Sequence, residues 1–259
     1  MSAFIRPRHN DDPALRLVVC HHAGGSGSAY FPLAAHLPAD WDVLLVDLPG
    51  RGRRHRDTPL RDMGAMAARV TEDVLPWAGP PLALFGHSMG AVVAVQTALA
   101  LEKRGAPVVW VGVSGRLAPA DCRPVPHLDP RLPDEELMTG LRAMGGIPRR
   151  FDEVPEFRRH FLRLVRHDLT ALGTVRPIAP ARGLTAPLTA FGATRDELAP
   201  AGLLANWAAE TSGSFTRKVF EGGHFHFVED GFAALGRSLA EEVRRALCAL
   251  DPIPTGGPA

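Results

Sequence analysis

Residues Pro81 to Ala100, PLALFGHSMGAVVAVQTALA, constrain this chain more than any other stretch. The short apolar run from Pro81 to Phe85 has the length of a buried strand. Gly86-His87-Ser88-Met89-Gly90 follows at once, and Ala91 to Leu101 is almost wholly apolar over about three helical turns. Strand, G-x-S-x-G turn and helix form the context of a nucleophile elbow. The turn is strained, and side chains at positions 86 and 90 would collide with the neighbouring strand and helix, so both must be glycine. Ser88 Oγ is expected at the carboxyl end of a sheet, at the positive end of a helix dipole.

The same alternation extends along the chain. Leu15 to Cys20, Trp41 to Val46, Pro107 to Val113, Ala186 to Phe191 and Ser214 to Phe220 read as further strands. Helices are expected from Ala29 to Leu37, Arg61 to Trp77, Ala199 to Thr211 and Glu229 to Leu247. Short buried strands alternating with helices argue an α/β fold with a mostly parallel, doubly wound sheet. Between Ser114 and Arg182 the alternation stops. Five prolines, at 119, 124, 126, 130 and 133, precede two helical stretches, Asp134 to Met144 and Pro155 to Leu172, with no buried strand between them. A helical insertion there would lie over the carboxyl end of the sheet as a lid. The expected division is a core over 1–116, a lid over 117–182, the rest of the core over 183–250 and a loose tail over 251–259. Met1 to Ala14, polar and interrupted by proline, is expected to be loose as well.

Composition removes several classes of function. The chain has 259 residues, enough for one large α/β domain with a sizeable core. Lys+Arg 29 against Asp+Glu 28 leaves a net charge of +1, so no global field favours nucleic acid or an anionic membrane. The three cysteines, Cys20, Cys122 and Cys248, are too widely spaced for a disulfide framework or a metal knuckle. No apolar leader segment opens the chain and no run reaches membrane-spanning length, so a cytoplasmic protein is expected. His21, His22, His224 and His226 have neither an H-E-x-x-H helix nor a cysteine partner, and no metal is expected.

A serine hydroxyl is a poor nucleophile at neutral pH and needs a base within hydrogen-bond reach. In α/β-hydrolases the order along the chain is nucleophile, acid, histidine, each on a loop at the carboxyl end of a strand. Ser88, Asp196 and His224 follow three of the expected strands in that order. His224 stands behind Gly222-Gly223, where the backbone can turn sharply, and is preferred to His226. Glu197 and Asp230 compete with Asp196; Glu197 is expected to point away from the site, and Asp230 to begin the last helix as a cap. Acyl transfer also needs oxyanion donors, each worth about 3 kcal/mol of barrier. The backbone N–H of Met89 is one candidate, and the Ala23 N–H in His22-Ala23-Gly24-Gly25, which resembles an H-G-G-G loop, is the second.

These motifs resemble those of the type II thioesterases associated with polyketide and non-ribosomal peptide synthetases. The resemblance covers nearly the whole chain. It rests on His22-Ala23-Gly24-Gly25-Ser26, on Leu48-Pro49-Gly50-Arg51-Gly52 with Arg54, and on Gly86-His87-Ser88-Met89-Gly90-Ala91. Ser114-Gly115-Arg116, Ala118-Pro119, Leu132-Pro133-Asp134 with Glu136-Leu137, and Leu141 with Gly145-Gly146 also match. Phe191-Gly192 with Asp196, and Phe220 with Gly222-Gly223-His224-Phe225, complete the set. Gln96 departs from the glutamate usual in the elbow helix, and His21 from the proline or other residue usual before the oxyanion loop. The resemblance implies an α/β-hydrolase that clears stalled or aberrant acyl groups from the phosphopantetheine arm of an acyl or peptidyl carrier protein in antibiotic-type biosynthesis. It implies no cofactor of the enzyme's own, and a monomer.

Three other readings stay open at this level: a free-standing carboxylesterase of small esters, a non-catalytic module that docks carrier proteins, and an acyltransferase whose acceptor would have to outcompete water. The loop Arg51 to Arg56 (RGRRHR) carries five basic residues in six. It reads either as a solvated loop or as a positive rim in which Arg51, Arg53, Arg54 and Arg56 steer an acidic carrier toward a mobile lid.

Overall fold

The computed structural model describes residues 3–145, 147, 154–175 and 183–250, apart from the Glu229 side chain. Seven strands form one sheet: β1 (Phe4–Ile5), β2 (Leu15–Cys20), β3 (Trp41–Val46), β4 (Leu82–His87), β5 (Val108–Ser114), β6 (Leu188–Ala193) and β7 (Phe215–Phe220). Their spatial order is β1-β3-β2-β4-β5-β6-β7, and only β1 runs antiparallel to its neighbour. The elbow strand β4 is thus in the middle, buried on both faces.

Period-two alternation divides β4 between two cores. Leu82 and Leu84 face an apolar layer shared with α1 (Met63–Val74) and α2 (Met89–Glu102). Ala83 and Phe85 face the other layer, shared with α5 (Phe232–Leu250), Tyr30 and Trp110. α2 is apolar nearly all round because neighbours cover it nearly all round. β7 closes the sheet as an edge, where the exposed Arg217 and the half-buried Lys218 stand.

Three expectations change. The N-terminus is not loose: Phe4 pairs with Val46, is 2% exposed and meets the Trp77 ring edge-on at 6.0 Å. Arg6 reinforces the edge by its 2.9 Å ion pair with the buried Asp42 and its place over the Trp77 ring. The segment Gly27–His36 is a 3₁₀ helix with Pro32 inside, where the missing N–H prevents a continuous α-helical ladder. Ala201–Glu210 is also 3₁₀ and not α-helical.

Between β5 and β6 lie α3 (Asp134–Ala143) and α4 (Pro155–Leu172), with no strand among the described residues there. They share a separate apolar cluster in which Leu137, Met138 and Leu141 meet Leu162 and Val165. Gly146, residues 176–182 at the expected lid boundary and the expected tail over 251–259 lie outside the described residues. Among the described residues no helix is long and apolar enough to cross a membrane.

Candidate active site

Ser88 sits between β4 and α2 at φ 56° and ψ −116°, the one non-glycine residue with positive φ among those described. Its flanks leave no alternative to glycine. A Cβ at Gly86 would lie 1.9 Å from Gly90 O, and one at Gly90 would lie 2.1 Å from Cys20 O. The Ser88 N–H donates to Ser114 O at 2.7 Å, continuing the β4–β5 ladder, while its side chain makes no capping bond to α2. The strained turn therefore leaves the hydroxyl available for chemistry.

Asp196 lies in the turn after β6 and His224 in the loop after β7. His224 Nδ1–H donates to Asp196 Oδ2 at 3.0 Å, and both side chains are buried. The other carboxylate oxygen accepts the N–H groups of Leu198 and Ala199 at 3.0 and 3.1 Å. The two loops are tied by Arg195 N–H to Gly222 O at 2.8 Å, with Gly222 at φ +127°. Gly115 is also required: a Cβ there would approach His87 Cε1 to 2.4 Å and His224 Cε1 to 3.1 Å.

Ser88 and His224 line one cavity of about 830 Å³. His22 and Ala23 form part of its wall, and the side built from residues between β5 and β6 is apolar, including Leu128, Leu141, Met144 and Phe161. The oxyanion-loop candidate is clamped from behind by α4. Gly24 N–H donates to Asp168 Oδ2 at 2.7 Å, and Arg51 donates to both Asp168 oxygens at 2.7 and 2.8 Å. Arg51 is 2% exposed and Asp168 0%. A Cβ at Gly24 would meet Val165 of the same helix at 2.5 Å. The Ala23 N–H has no acceptor among the described residues, and Met89, as the first residue of α2, has an N–H with no intrahelical partner.

A thioesterase domain model matches residues 15–243. The chain belongs to the thioesterase family. It is 37% identical to the thioesterase PikA5 of Streptomyces venezuelae over 217 residues, covering 82% of this chain and 75% of that protein. It is 30% identical to the gramicidin S biosynthesis protein GrsT of Aneurinibacillus migulanus, over 88% of this chain and 89% of that one. The solved type II thioesterase BorB from the borrelidin biosynthetic cluster superposes with a TM-score of 0.84 at 32% identity, covering 94% and 98% of the two chains. The sheet and its crossing helices are accordingly those of the α/β-hydrolase fold.

The thioesterase brings Asp196 and His224 together and leaves their competitors apart. Glu197 and Asp230 are exposed. The His226 ring stacks on Phe220, at 4.7 Å and 13°. The basic loop differs from both readings of the sequence. Arg51 is the buried clamp described above, and Arg54 is buried against Asp57 and Asp73 at 2.7 and 2.9 Å. Arg53 donates to Phe4 O, so the loop anchors the sheet edge, and only Arg53 and Arg56 of its arginines are exposed. The clamp was missed in the sequence, although Asp168 carries a signal. It is a lone carboxylate on the stripe Phe161, Val165, Asp168, Leu172 of α4, where spacing of 3.6 predicts an apolar residue.

An amide in place of this carboxylate removes the counter-charge of a buried guanidinium and turns an NH₂ toward donors on Arg51 or the Gly24 N–H. Asp168→Asn is expected to cost about 3 kcal/mol of stability and to lower kcat about 100-fold, the scale of a displaced oxyanion donor. Thermal melts and steady-state kinetics check this; an unchanged kcat in folded protein would separate the clamp from the chemistry.

Burial acts to raise the Asp196 carboxyl, but the His224 hydrogen bond and charge, with the two backbone N–H groups, outweigh it and hold it below the ordinary range. Around it is a set of histidines held neutral. Burial, with Arg51 next, pushes His21 well down, and burial with the His224 charge does the same to His87. For the same causes His22 falls to about 3, and burial takes His226 to about 4. In the unfolded chain these imidazoles take up protons near pH 6.5. The unfolded state then binds more protons than the folded one, and stability falls as pH drops below about 6.5, by up to about 1.4 kcal/mol per pH unit for each such histidine. Asp196 adds a further loss as pH falls through its depressed value. Urea denaturation at pH 7.5 and pH 5.5 is expected to show lower stability at the acid value, with a smaller difference in His226→Gln.

Proposed function

We propose that this thioesterase removes stalled or aberrant acyl groups from the phosphopantetheine arm of acyl or peptidyl carrier proteins in polyketide or non-ribosomal peptide assembly. The observation that carries the reading is the Ser88 elbow sharing an apolar cavity with a His224 hydrogen-bonded to Asp196. The names of two relatives, the gramicidin S biosynthesis protein GrsT and BorB from the borrelidin biosynthetic cluster, supply the biosynthetic setting.

In this reading Ser88 Oγ attacks the thioester carbonyl while His224 Nε2 takes its proton and Asp196 stabilises the imidazolium. The N–H groups of Met89 and Ala23 receive the oxyanion. Collapse expels the pantetheine sulfur, which takes the proton from His224, and leaves an acyl-serine. Water, deprotonated by His224, attacks that ester, and the second collapse returns the proton to Ser88 and releases the acid. The chemistry needs no cofactor. The apolar wall built by the lid suits the acyl chain, and the insertion acts as that chain's cover.

The test is a panel of acyl-carrier proteins followed by intact-protein mass spectrometry, run beside simple nitrophenyl esters. Preference for the carrier-borne thioester by at least about tenfold in kcat/KM, about 1.4 kcal/mol of transition-state binding, supports the reading. Equal or better turnover of simple esters would make the protein a general esterase.

A further inference from the structure

We propose that an arginine-lined groove beside the catalytic cavity binds the phosphate of the phosphopantetheine arm, through Arg159 and Arg163 of α4 together with Arg61. The proposal rests on the carrier-thioester reading above and names the part of that substrate the groove holds.

The groove has a volume of about 490 Å³ and is lined by five arginines, Arg61, Arg131, Arg159, Arg163 and Arg166, with Asp134 its one carboxylate. In a chain of net charge +1 this is a local concentration of positive charge. The groove and the Ser88 cavity share Pro130, Arg131 and Thr170, so the groove adjoins the cavity along these residues. α4 explains how both faces arise from one helix. Phe161, Val165, Asp168 and Leu172 recur at i, i+4, i+7 and i+11 on the side that meets the cavity and the oxyanion loop. Arg159, Arg163, Arg166 and Thr170 recur with the same spacing on the stripe that lines the groove.

The five charges are not equally committed. Arg131 is paired with Asp129 at 2.6 Å and Arg166 with Asp134 at 2.5 Å. Arg163 and Arg61 instead contact ring nitrogens of His160 and His167, at 3.1 and 2.8 Å. Burial and the adjacent arginines lower the pKa of both imidazoles, so these contacts leave the guanidinium charges uncancelled. Arg159 is exposed and has no charged partner among the described residues. Three uncompensated guanidiniums converge on a concave strip. Guanidinium forks match phosphate oxygens in pairs, and a narrow groove suits a thin anionic tether more than a broad protein face. A thioester held at Ser88 by its acyl end would extend its pantetheine toward this strip.

The deciding comparison is between octanoyl-phosphopantetheine and octanoyl-pantetheine, which differ by the phosphate alone, with the octanoyl-carrier protein as a third arm. Arg159→Ala and Arg163→Ala, both surface changes, are expected to raise KM for the phosphorylated thioester about tenfold, with kcat retained and the effect shrinking at high salt. Turnover of octanoyl-pantetheine should stay within about twofold, and lysine at either position should restore part of the loss. A loss shared by free and carrier-borne phosphopantetheine supports the site for both sources. Equal losses with and without the phosphate, or no loss at all, would overturn it. A loss confined to the carrier protein would also overturn it and assign the stripe to an acidic carrier face. Calorimetric titration of phosphopantetheine into Ser88→Ala protein reads the groove without turnover. If wild type hydrolyses no thioester yet phosphopantetheine binds and Arg159→Ala abolishes binding, the functional reading fails and the groove stands.

Discussion

Ser88→Ala is expected to lower kcat for any thioester by about 10⁶-fold while the protein melts within a few degrees of wild type. Nothing else along the cavity wall provides a nucleophile in an elbow. Among the described residues Ser88 is the one non-glycine with positive φ, 56°, in the turn between the strand it ends and the helix it precedes, and its side chain makes no capping bond to that helix. Cys122 also lines the cavity, but it lies in the proline-rich segment after β5 and its thiol donates to Leu117 O at 3.4 Å. A fluorophosphonate probe should label wild type at Ser88 and leave the alanine variant unlabelled, as read by peptide mass spectrometry. Label on another residue, or turnover surviving in Ser88→Ala, would remove the serine mechanism.

Asp196→Asn is expected to cost about 10⁴-fold in kcat with the fold retained. The carboxylate fixes His224 with the proton on Nδ1, leaving Nε2 free to accept from the serine. An amide turned to keep its bonds to the Leu198 and Ala199 N–H groups presents its NH₂ to His224 Nδ1. That favours the tautomer with the proton on Nε2, which cannot act as a base. Fluorophosphonate labelling should slow in parallel with turnover, since both need the same proton transfer. Glu197→Gln and Asp230→Asn, both at exposed positions, are expected to stay within about threefold of wild type. Loss of turnover in either of them, with Asp196→Asn near normal, would move the acid to another carboxylate.

Much of this was legible in the chain before it was folded. The elbow can be read because its causes are local. Gly86 and Gly90 are required by backbone atoms a few residues away or on the adjacent strand, and a buried strand followed by an apolar helix writes its own periodicity. The order Ser88, Asp196, His224 can be read because parallel strands all end on the same side of a sheet, so residues just after them converge whatever their separation. Local pattern was a weaker guide where a single residue interrupts it, as Pro32 does in the expected helix at Ala29 to Leu37. It also failed at Phe4, which is buried because it pairs as an edge strand with Val46 of β3, 42 residues away.

What the sequence by itself determined is therefore the fold class, the elbow that presents Ser88 and the set of groups gathered around it, because each follows from spacing along one element or from sheet topology. The glycine turn and the strand order favoured His224 and Asp196 from the sequence, and the tertiary structure brings these two side chains into hydrogen-bond contact. His224 and His226 differ by two residues, and a turn at Gly222 sends one to Asp196 and the other onto Phe220. Only the tertiary structure decided that Arg51 is a buried clamp and that Arg159 and Arg163 of α4 stand without a carboxylate partner among the described residues. An arginine's role is set by which carboxylate the folded chain brings to it, and Asp168 arrives from 117 residues away. Helical spacing shows that α4 has two unlike stripes; only packing against the oxyanion loop shows which one faces the chemistry.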